Sequence, residues 1–260
     1  MNNAKIGFFD SGIGGISVLS YTRRRLPGAD YIYYADTDHV PYGTKPRDEI
    51  IRYSDAAVDF LAKQGVSAVV VACNTATSMS IGYLREKYPF PIVGMEPAVK
   101  PAAAAHHGEK ILVCATPVTI AGEKLHNLIE HNYASDELPD LVGLPGLVTF
   151  AERGVFDRDI VCEYLETVID KTRNYTAVVL GCTHFGYFRD SFRELLGDVD
   201  LIDGTKGTVN RLISVLETEG IELPAEGQGT TAFYQTGRPV TDAAVLEYYE
   251  KLLIRSEILK

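Results

Sequence analysis

Short apolar runs recur along the chain, each closed by small or polar residues and each followed by a stretch with helical spacing of apolar positions. Residues 5–9, 31–35 and 66–72 read as strands buried on both faces, because they lack the polar alternation of a sheet with one wet side. A helix is expected after Gly15, a long one over 47–63, and another over 77–87 leading into the run Pro91-Ile92-Val93-Gly94. Beyond Pro101 and the small residues 102–105, the scheme restarts with a strand at 110–115, and 177–180 forms a further buried strand. A helical stretch begins near Asp157, residues 209–218 continue as helix, 230–234 as a short strand, and 242–253 as a closing helix. Leu223-Pro224 and Glu226-Gly227-Gln228-Gly229 carry surface-turn signals. Strands alternating with helices in this way predict α/β architecture with mainly parallel sheets.

The two parts of the chain echo each other. Lys110-Ile111-Leu112-Val113-Cys114-Ala115 repeats the pattern of Lys5-Ile6-Gly7-Phe8-Phe9-Asp10, and Cys182 stands after 177–180 as Cys73 stands after 68–71. The similar offsets predict two similar domains with an active-site cleft between them. The expected division is residues 1–96 plus 208–260 for the first, whose tail completes it, and 97–207 for the second.

Length and composition support this picture: 260 residues with 46% hydrophobic content suffice for a well-developed core. No apolar stretch is long enough for a membrane helix, and Met1-Asn2-Asn3-Ala4-Lys5 runs into a strand rather than a signal peptide, so the expectation is a cytoplasmic protein without a membrane role. A formal net charge of −10 argues against a nucleic-acid partner, and the compact basic run Arg23-Arg24-Arg25 reads as a solvated helix end. Four cysteines without Cys-x-x-Cys spacing argue for reduced thiols and no metal site. Cys114 and Cys162 fit core positions.

Cys73 and Cys182 are the chemical centre of the sequence. Ala72-Cys73-Asn74-Thr75 and Gly181-Cys182-Thr183-His184 each follow a buried strand, and open α/β sheets bind ligands beyond the carboxyl ends of their strands. Two thiols flanking one ligand suit a reaction in which one removes a proton and the other returns one. A free thiol needs a neighbour to work at neutral pH; Asp10 is positioned to assist Cys73, and His184 to assist Cys182. Asp10-Ser11-Gly12-Ile13-Gly14-Gly15 is a strand-to-helix loop suited to close backbone approach, but its spacing matches neither nucleotide fingerprint. Pro41-Tyr42-Gly43-Thr44, entered through Asp36-Thr37-Asp38-His39, is a second strand-end loop, with His39 as an ordinary polar turn residue.

With these segments in hand the chain resembles the glutamate racemases, within the cofactor-independent aspartate/glutamate racemase superfamily. The resemblance runs nearly end to end, through Phe9-Asp10-Ser11-Gly12-Ile13-Gly14-Gly15, Val40-Pro41-Tyr42-Gly43, Ala72-Cys73-Asn74-Thr75-Ala76, Gly94-Met95-Glu96-Pro97-Ala98, Ala115-Thr116-Pro117-Val118-Thr119 and Leu180-Gly181-Cys182-Thr183-His184. It implies paired α/β domains, homodimers, no cofactor, and interconversion of L- and D-glutamate to supply D-glutamate for peptidoglycan. On that resemblance the catalytic thiols are Cys73, serving D-glutamate, and Cys182, serving L-glutamate; spacing alone leaves that assignment open. Substrate contacts fall on Asp10, Ser11, Tyr42, Gly43, Asn74, Thr75, Thr116, Thr119, Thr183 and His184, and Glu152 matches a family carboxylate near the site.

Phe185-Gly186-Tyr187 departs from the common Tyr-Pro-Leu, and Asp36-Thr37-Asp38-His39 and Ala151 are further variants. The rival readings are a racemase for aspartate or another amino acid, and a non-catalytic regulatory protein on the same fold. His184 after Cys182-Thr183 favours glutamate over aspartate by the same resemblance.

Overall fold

The computed structural model describes residues 4–135, 137–224 and 229–258. The opening Met1-Asn2-Asn3 and the turn residues Glu226-Gly227-Gln228 lie outside the described residues. The chain runs β1 (Lys5–Asp10), α1 (Ile16–Arg25), β2 (Asp30–Ala35), α2 (Arg47–Lys63), β3 (Ala68–Val71), α3 (Asn74–Lys87) and β4 (Ile92–Gly94). It continues through α4 (Val99–Ala105), β5 (Ile111–Ala115), α5 (Pro117–Ile120), α6 (Glu123–Glu130), β6 (Asp140–Gly143), α7 (Pro145–Glu152), α8 (Arg158–Val168), β7 (Ala177–Leu180), α9 (Arg189–Leu196) and β8 (Asp200–Asp203). The last elements are α10 (Thr205–Thr218), β9 (Thr231–Gln235), β10 (Arg238–Pro239) and α11 (Ala243–Ile258).

Two sheets result, a six-stranded one in the order β10-β9-β2-β1-β3-β4 and a four-stranded one in the order β6-β5-β7-β8. Every pairing is parallel except β9 with β10. The stretch β2-β1-β3-β4 has the same order of appearance as β6-β5-β7-β8, so the two sheets share one plan and the chain's tail extends the first at its β2 edge. No helix among the described residues is long and apolar enough to cross a membrane.

Burial explains the strand pattern. β1 is buried at every position after Lys5, β3 and β7 throughout, as expected for strands covered by helices on both faces. Side chains such as Phe8 and Phe9 are fully buried on opposite faces of β1, each contributing about 1.5–3 kcal/mol by leaving water. The largest apolar cluster contains Ile6, Phe8 and Val70 from the first sheet together with Leu112, Val178 and Leu180 from the second, so one core runs continuously between the sheets. α2 lays Ile50, Ser54, Ala57, Val58 and Leu61 on the first sheet with helical spacing, and its Asp48 and Glu49 sit in the first turn where the helix dipole favours them.

Element boundaries differ from the sequence expectation where polar side chains intervene. α3 begins at Asn74, not 77, because the extended Cys73 caps it and its Sγ accepts from the Ala76 amide at 3.4 Å. α10 begins at Thr205, not 209, where Asp203 Oδ1 accepts from the Thr205 amide at 2.8 Å. The third strand is trimmed from 66–72 to Ala68–Val71.

Register decides where the chemistry lies. Asp10 pairs with Ala35 and Phe9 with Val71, so Ser11, Asp36 and Cys73 leave the first sheet along one edge. Ala115 pairs with Gly143 and Cys114 with Leu180, which brings Thr116 and Cys182 to the matching edge of the second.

Candidate active site

The loop after β1 is pinned by tyrosines from two directions. Tyr33 OH donates to the Gly12 carbonyl at 2.7 Å, and Tyr187 OH to the Ile13 carbonyl at 3.0 Å. Gly14 must be glycine here, since a Cβ would lie 2.2 Å from Thr183 Oγ1 and 2.6 Å from His184 Nδ1. That close approach lets the β1 loop meet the turn after β7, where residues Thr183–Phe188 form a short 3-10 segment. The departure at Phe185-Gly186-Tyr187 thereby acquires a place: Phe185 and Tyr187 are buried, and the Tyr187 hydroxyl braces the opposite loop.

Cys73 and Cys182 are only 5% and 8% exposed, so both thiols lie buried at the facing edges of the two sheets. Ser11 Oγ stands 3.5 Å from Cys73 Sγ. Burial pushes the Cys73 thiol up to about 12; the Asp10 and Cys182 charges add to that rise, and the Ala76 amide and Ser11 hydroxyl oppose it only in part. Cys182 Sγ lies 3.6 Å from His184 Nδ1. His184 Nε2 in turn meets Glu152 Oε1 at 2.6 Å, and the same oxygen accepts from the Ile13 amide at 2.9 Å. Burial pulls the His184 imidazole down, but its hydrogen bonds to Cys182 and Glu152 and their charges prevail, holding it well above the ordinary histidine value.

Asp10 is fully buried. Its Oδ1 accepts from the Gly12 amide at 3.0 Å and its Oδ2 from Thr183 Oγ1 at 3.1 Å. Burial raises its pKa to about 6, with His184, the Gly12 amide and Thr183 countering. Asp10, expected to assist Cys73, makes no hydrogen bond to it among the described residues: Ser11 Oγ is the side chain beside that thiol, and Asp10 is bonded to the turn that carries Cys182.

A second group faces the start of α3. Thr75 Oγ1 lies 2.9 Å from Thr116 Oγ1 and 3.3 Å from Thr119 Oγ1, and Thr116 Oγ1 donates to Thr119 Oγ1 at 3.0 Å. Three buried hydroxyls thus span the two lobes. Gly43 abuts the same cluster, where a Cβ would come within 2.5 Å of Thr116 Cβ. Asn74 donates through Nδ2 to the Met95 carbonyl at 3.3 Å, while its buried Oδ1 has no protein partner. Tyr42 is buried in the 3-10 turn Tyr42–Thr44.

All the residues singled out in the sequence therefore lie at the facing edges of the two sheets or on the elements that close over them. Cys114 is buried in β5 away from this network, and Cys162 is half-buried, with Sγ 3.7 Å from the Ser191 carbonyl, so it is less a core residue than its surroundings suggested. Sequence reasoning missed Tyr33, Tyr187 and Asp36. Asp36, read as a turn residue, is 2% exposed, and its Oδ2 accepts from Tyr42 OH at 2.5 Å. Its position directly after β2, on the same edge as Ser11 and Cys73, is the signal that could have found it. No group of three or more His, Cys, Asp or Glu side chains suited to a metal ion occurs among the described residues.

Comparisons with known proteins bear on this geometry. The family model described as Asp/Glu/Hydantoin racemase matches residues 17–212. A glutamate racemase of Halothermothrix orenii is 52% identical over 237 residues, spanning 90% of this chain and 93% of the relative. Among solved structures, glutamate racemase from Thermus thermophilus in complex with beta-chloro-D-alanine superposes with a TM-score of 0.76 at 33% identity, covering 97% of this chain and 93% of that one. Glutamate racemase from Francisella tularensis in complex with D-glutamate superposes with a TM-score of 0.80 at 28% identity, covering 96% and 95%.

Proposed function

The chain belongs to the Asp/Glu/hydantoin racemase family, and from that premise we propose that it is a glutamate racemase that interconverts L- and D-glutamate between the thiols of Cys73 and Cys182, supplying D-glutamate for peptidoglycan. One observation carries the reading. The two sheets share a four-strand order, β2-β1-β3-β4 and β6-β5-β7-β8, with a cysteine just beyond the third strand in chain order of each, and Asp10, Thr183, His184 and Glu152 form one hydrogen-bonded chain between their edges.

In each direction one thiolate removes the α-proton and the opposing thiol protonates the other face, so a proton is taken and a proton returned with no net redox change. The α-proton of an amino acid is very weakly acidic, so positioning and electrostatic stabilisation must supply most of the acceleration. Ser11, Thr75, Thr116, Thr119 and Thr183, with the Gly43 backbone and the amides opening α3, are suited to the two carboxylates. The unpartnered Oδ1 of Asn74 is suited to the substrate ammonium. His184, protonated through its contact with Glu152, serves as the proton partner of Cys182; Ser11 and the Ala76 amide serve Cys73. This cycle draws on no cofactor or metal.

The proposed division into 1–96 with 208–260, and 97–207, is supported by the strand membership of the two sheets. Homodimerisation and a cytoplasmic location complete the proposal. Incubation of the purified chain with a panel of L- and D-amino acids, without added cofactor and read by chiral chromatography, tests it. Turnover of glutamate in both directions is expected; preference for aspartate would move the function to the rival.

A further inference from the structure

We propose that Asp36 is a positioning residue for the substrate pocket: its buried carboxylate fixes the Tyr42-Gly43 turn against the threonine cluster on the Cys73 side. The inference rests on the glutamate reading above and adds a residue to it.

Asp36 sits one residue beyond β2, where its amide donates to the Asp10 carbonyl at 3.0 Å, so its backbone is tied directly to the site. Both carboxylate oxygens are in use. Oδ2 accepts from Tyr42 OH at 2.5 Å, and His39 Nδ1 lies 2.8 Å from Oδ1 and 3.0 Å from Oδ2. His39 stacks on Tyr53 of α2, with ring centroids 3.8 Å apart. The loop is tied from outside as well: Arg238 pairs with both carboxylate oxygens of Asp38 at 2.6 and 2.8 Å, and the Asp38 amide donates to Thr236 Oγ1 at 3.1 Å. Residues 36–43 thus form a strap from β2 to the turn, with Asp36 at its only buried charge.

What the strap positions follows from contact. The Tyr42 ring packs on Phe9 with centroids 6.2 Å apart, and Gly43 lies so close to Thr116 that no side chain fits between them. A shift of the turn therefore displaces the Gly43 backbone relative to Thr75, Thr116 and Thr119. These groups hold the substrate rather than the reacting atoms, so the cost of displacing them falls on binding and shows in KM more than in kcat. A hydrogen bond to a buried charge is also of the stronger kind, so losing it frees the turn.

Glutamate kinetics of Asp36→Ala, Tyr42→Phe and the double variant test the proposal. Asp36→Ala should raise KM about tenfold or more in both directions with kcat changed less than about threefold, in keeping with loss of a charged hydrogen bond remote from the reacting atoms. The double variant should be within about twofold of the worse single variant, since both remove one interaction. A KM near wild type, or effects that multiply, would overturn it. A merely structural role would lower the melting temperature and leave the KM of the folded protein unchanged. If Asp36→Ala does not fold, Asp36→Asn, which keeps one acceptor, should show a smaller KM rise; an unchanged KM there overturns the proposal. The wild-type rate on glutamate is a separate readout of the substrate reading. A crystal structure of the Asp36 variant, with the 42–44 turn displaced or in place, decides the positioning role whatever the substrate proves to be.

Discussion

Thr183 Oγ1 donates to Asp10 Oδ2 at 3.1 Å, joining the turn after β7 in one sheet to the end of β1 in the other. The two residues are 173 positions apart, and both are buried. This bond links the two lobes, and with the His184 charge and the Gly12 amide it supports an otherwise costly buried carboxylate.

Thr183→Ala should expose that dependence. It leaves Oδ2 of a fully buried carboxylate without its hydroxyl donor, a loss of about 1–3 kcal/mol in stability and about tenfold or more in kcat/KM. Thermal melts and the chiral assay measure the two effects. Wild-type values in both would show that Thr183 neither supports Asp10 nor meets substrate.

Asp10→Asn should separate stability from activity. The folded-state pKa of Asp10 is about 6 against 3.8 for the free group, so the native protein binds this proton more tightly than the unfolded chain does. Stability attributable to Asp10 is therefore highest below about pH 4, falls as pH rises from about 4 to about 6, and is flat above. The asparagine variant lacks this loss and should be more stable than wild type at pH 8, by up to about 3 kcal/mol, with the gap closing toward pH 4. Its racemisation should nevertheless fall by at least about tenfold. Denaturant midpoints across that range are the check; a constant or reversed gap would mean that burial is not what Asp10 feels.

Much of this arrangement can be read in the sequence, because buried parallel strands announce themselves by unbroken apolar runs and deliver their next residue to the ligand edge. Cys73, Cys182, Asp10 and Ser11 are found that way. β6 and β8 are harder: β6 is only half-buried and β8 opens on an exposed residue, so both lack the full apolar signature. The network beyond the strand ends is also hidden, since Glu152 reaches Ile13 across 139 positions and Tyr187 reaches it across 174. Asp36 illustrates the remaining gap: it looks like a turn former, and only tertiary packing converts it to a buried acceptor for Tyr42.

Glu152→Gln should move the pH profile. Gln keeps an acceptor for the Ile13 amide and His184 while removing the negative charge that helps to hold the imidazole protonated. His184 has a raised folded-state value, so its protonated form persists above about pH 6.5 and is lost as pH climbs through the raised value. Without the Glu152 charge that loss comes at lower pH, and the alkaline limb of kcat should shift toward acid. Superimposable profiles would exclude Glu152 from setting the charge of His184.

The sharpest test is of the opposed thiols themselves. A Cys73→Ala or Cys182→Ala variant retains one group able to take a proton but has no partner to return one to the other face, so each should lose racemisation by about 10²–10⁴-fold or more. In heavy water the wild-type product should carry solvent deuterium at the α-carbon, while substrate recovered early keeps its hydrogen, because the thiol that protonates is not the one that abstracted. Cys114→Ala and Cys162→Ala are the controls. Cys114 is fully buried in β5 and its truncation should cost stability, whereas Cys162 is half-buried with a long contact to the Ser191 carbonyl and should cost little; the folded fraction of both should remain active. If Cys182→Ala racemises glutamate near the wild-type rate, or if product keeps its original hydrogen throughout, the two strand-end cysteines do not act as an acid/base pair.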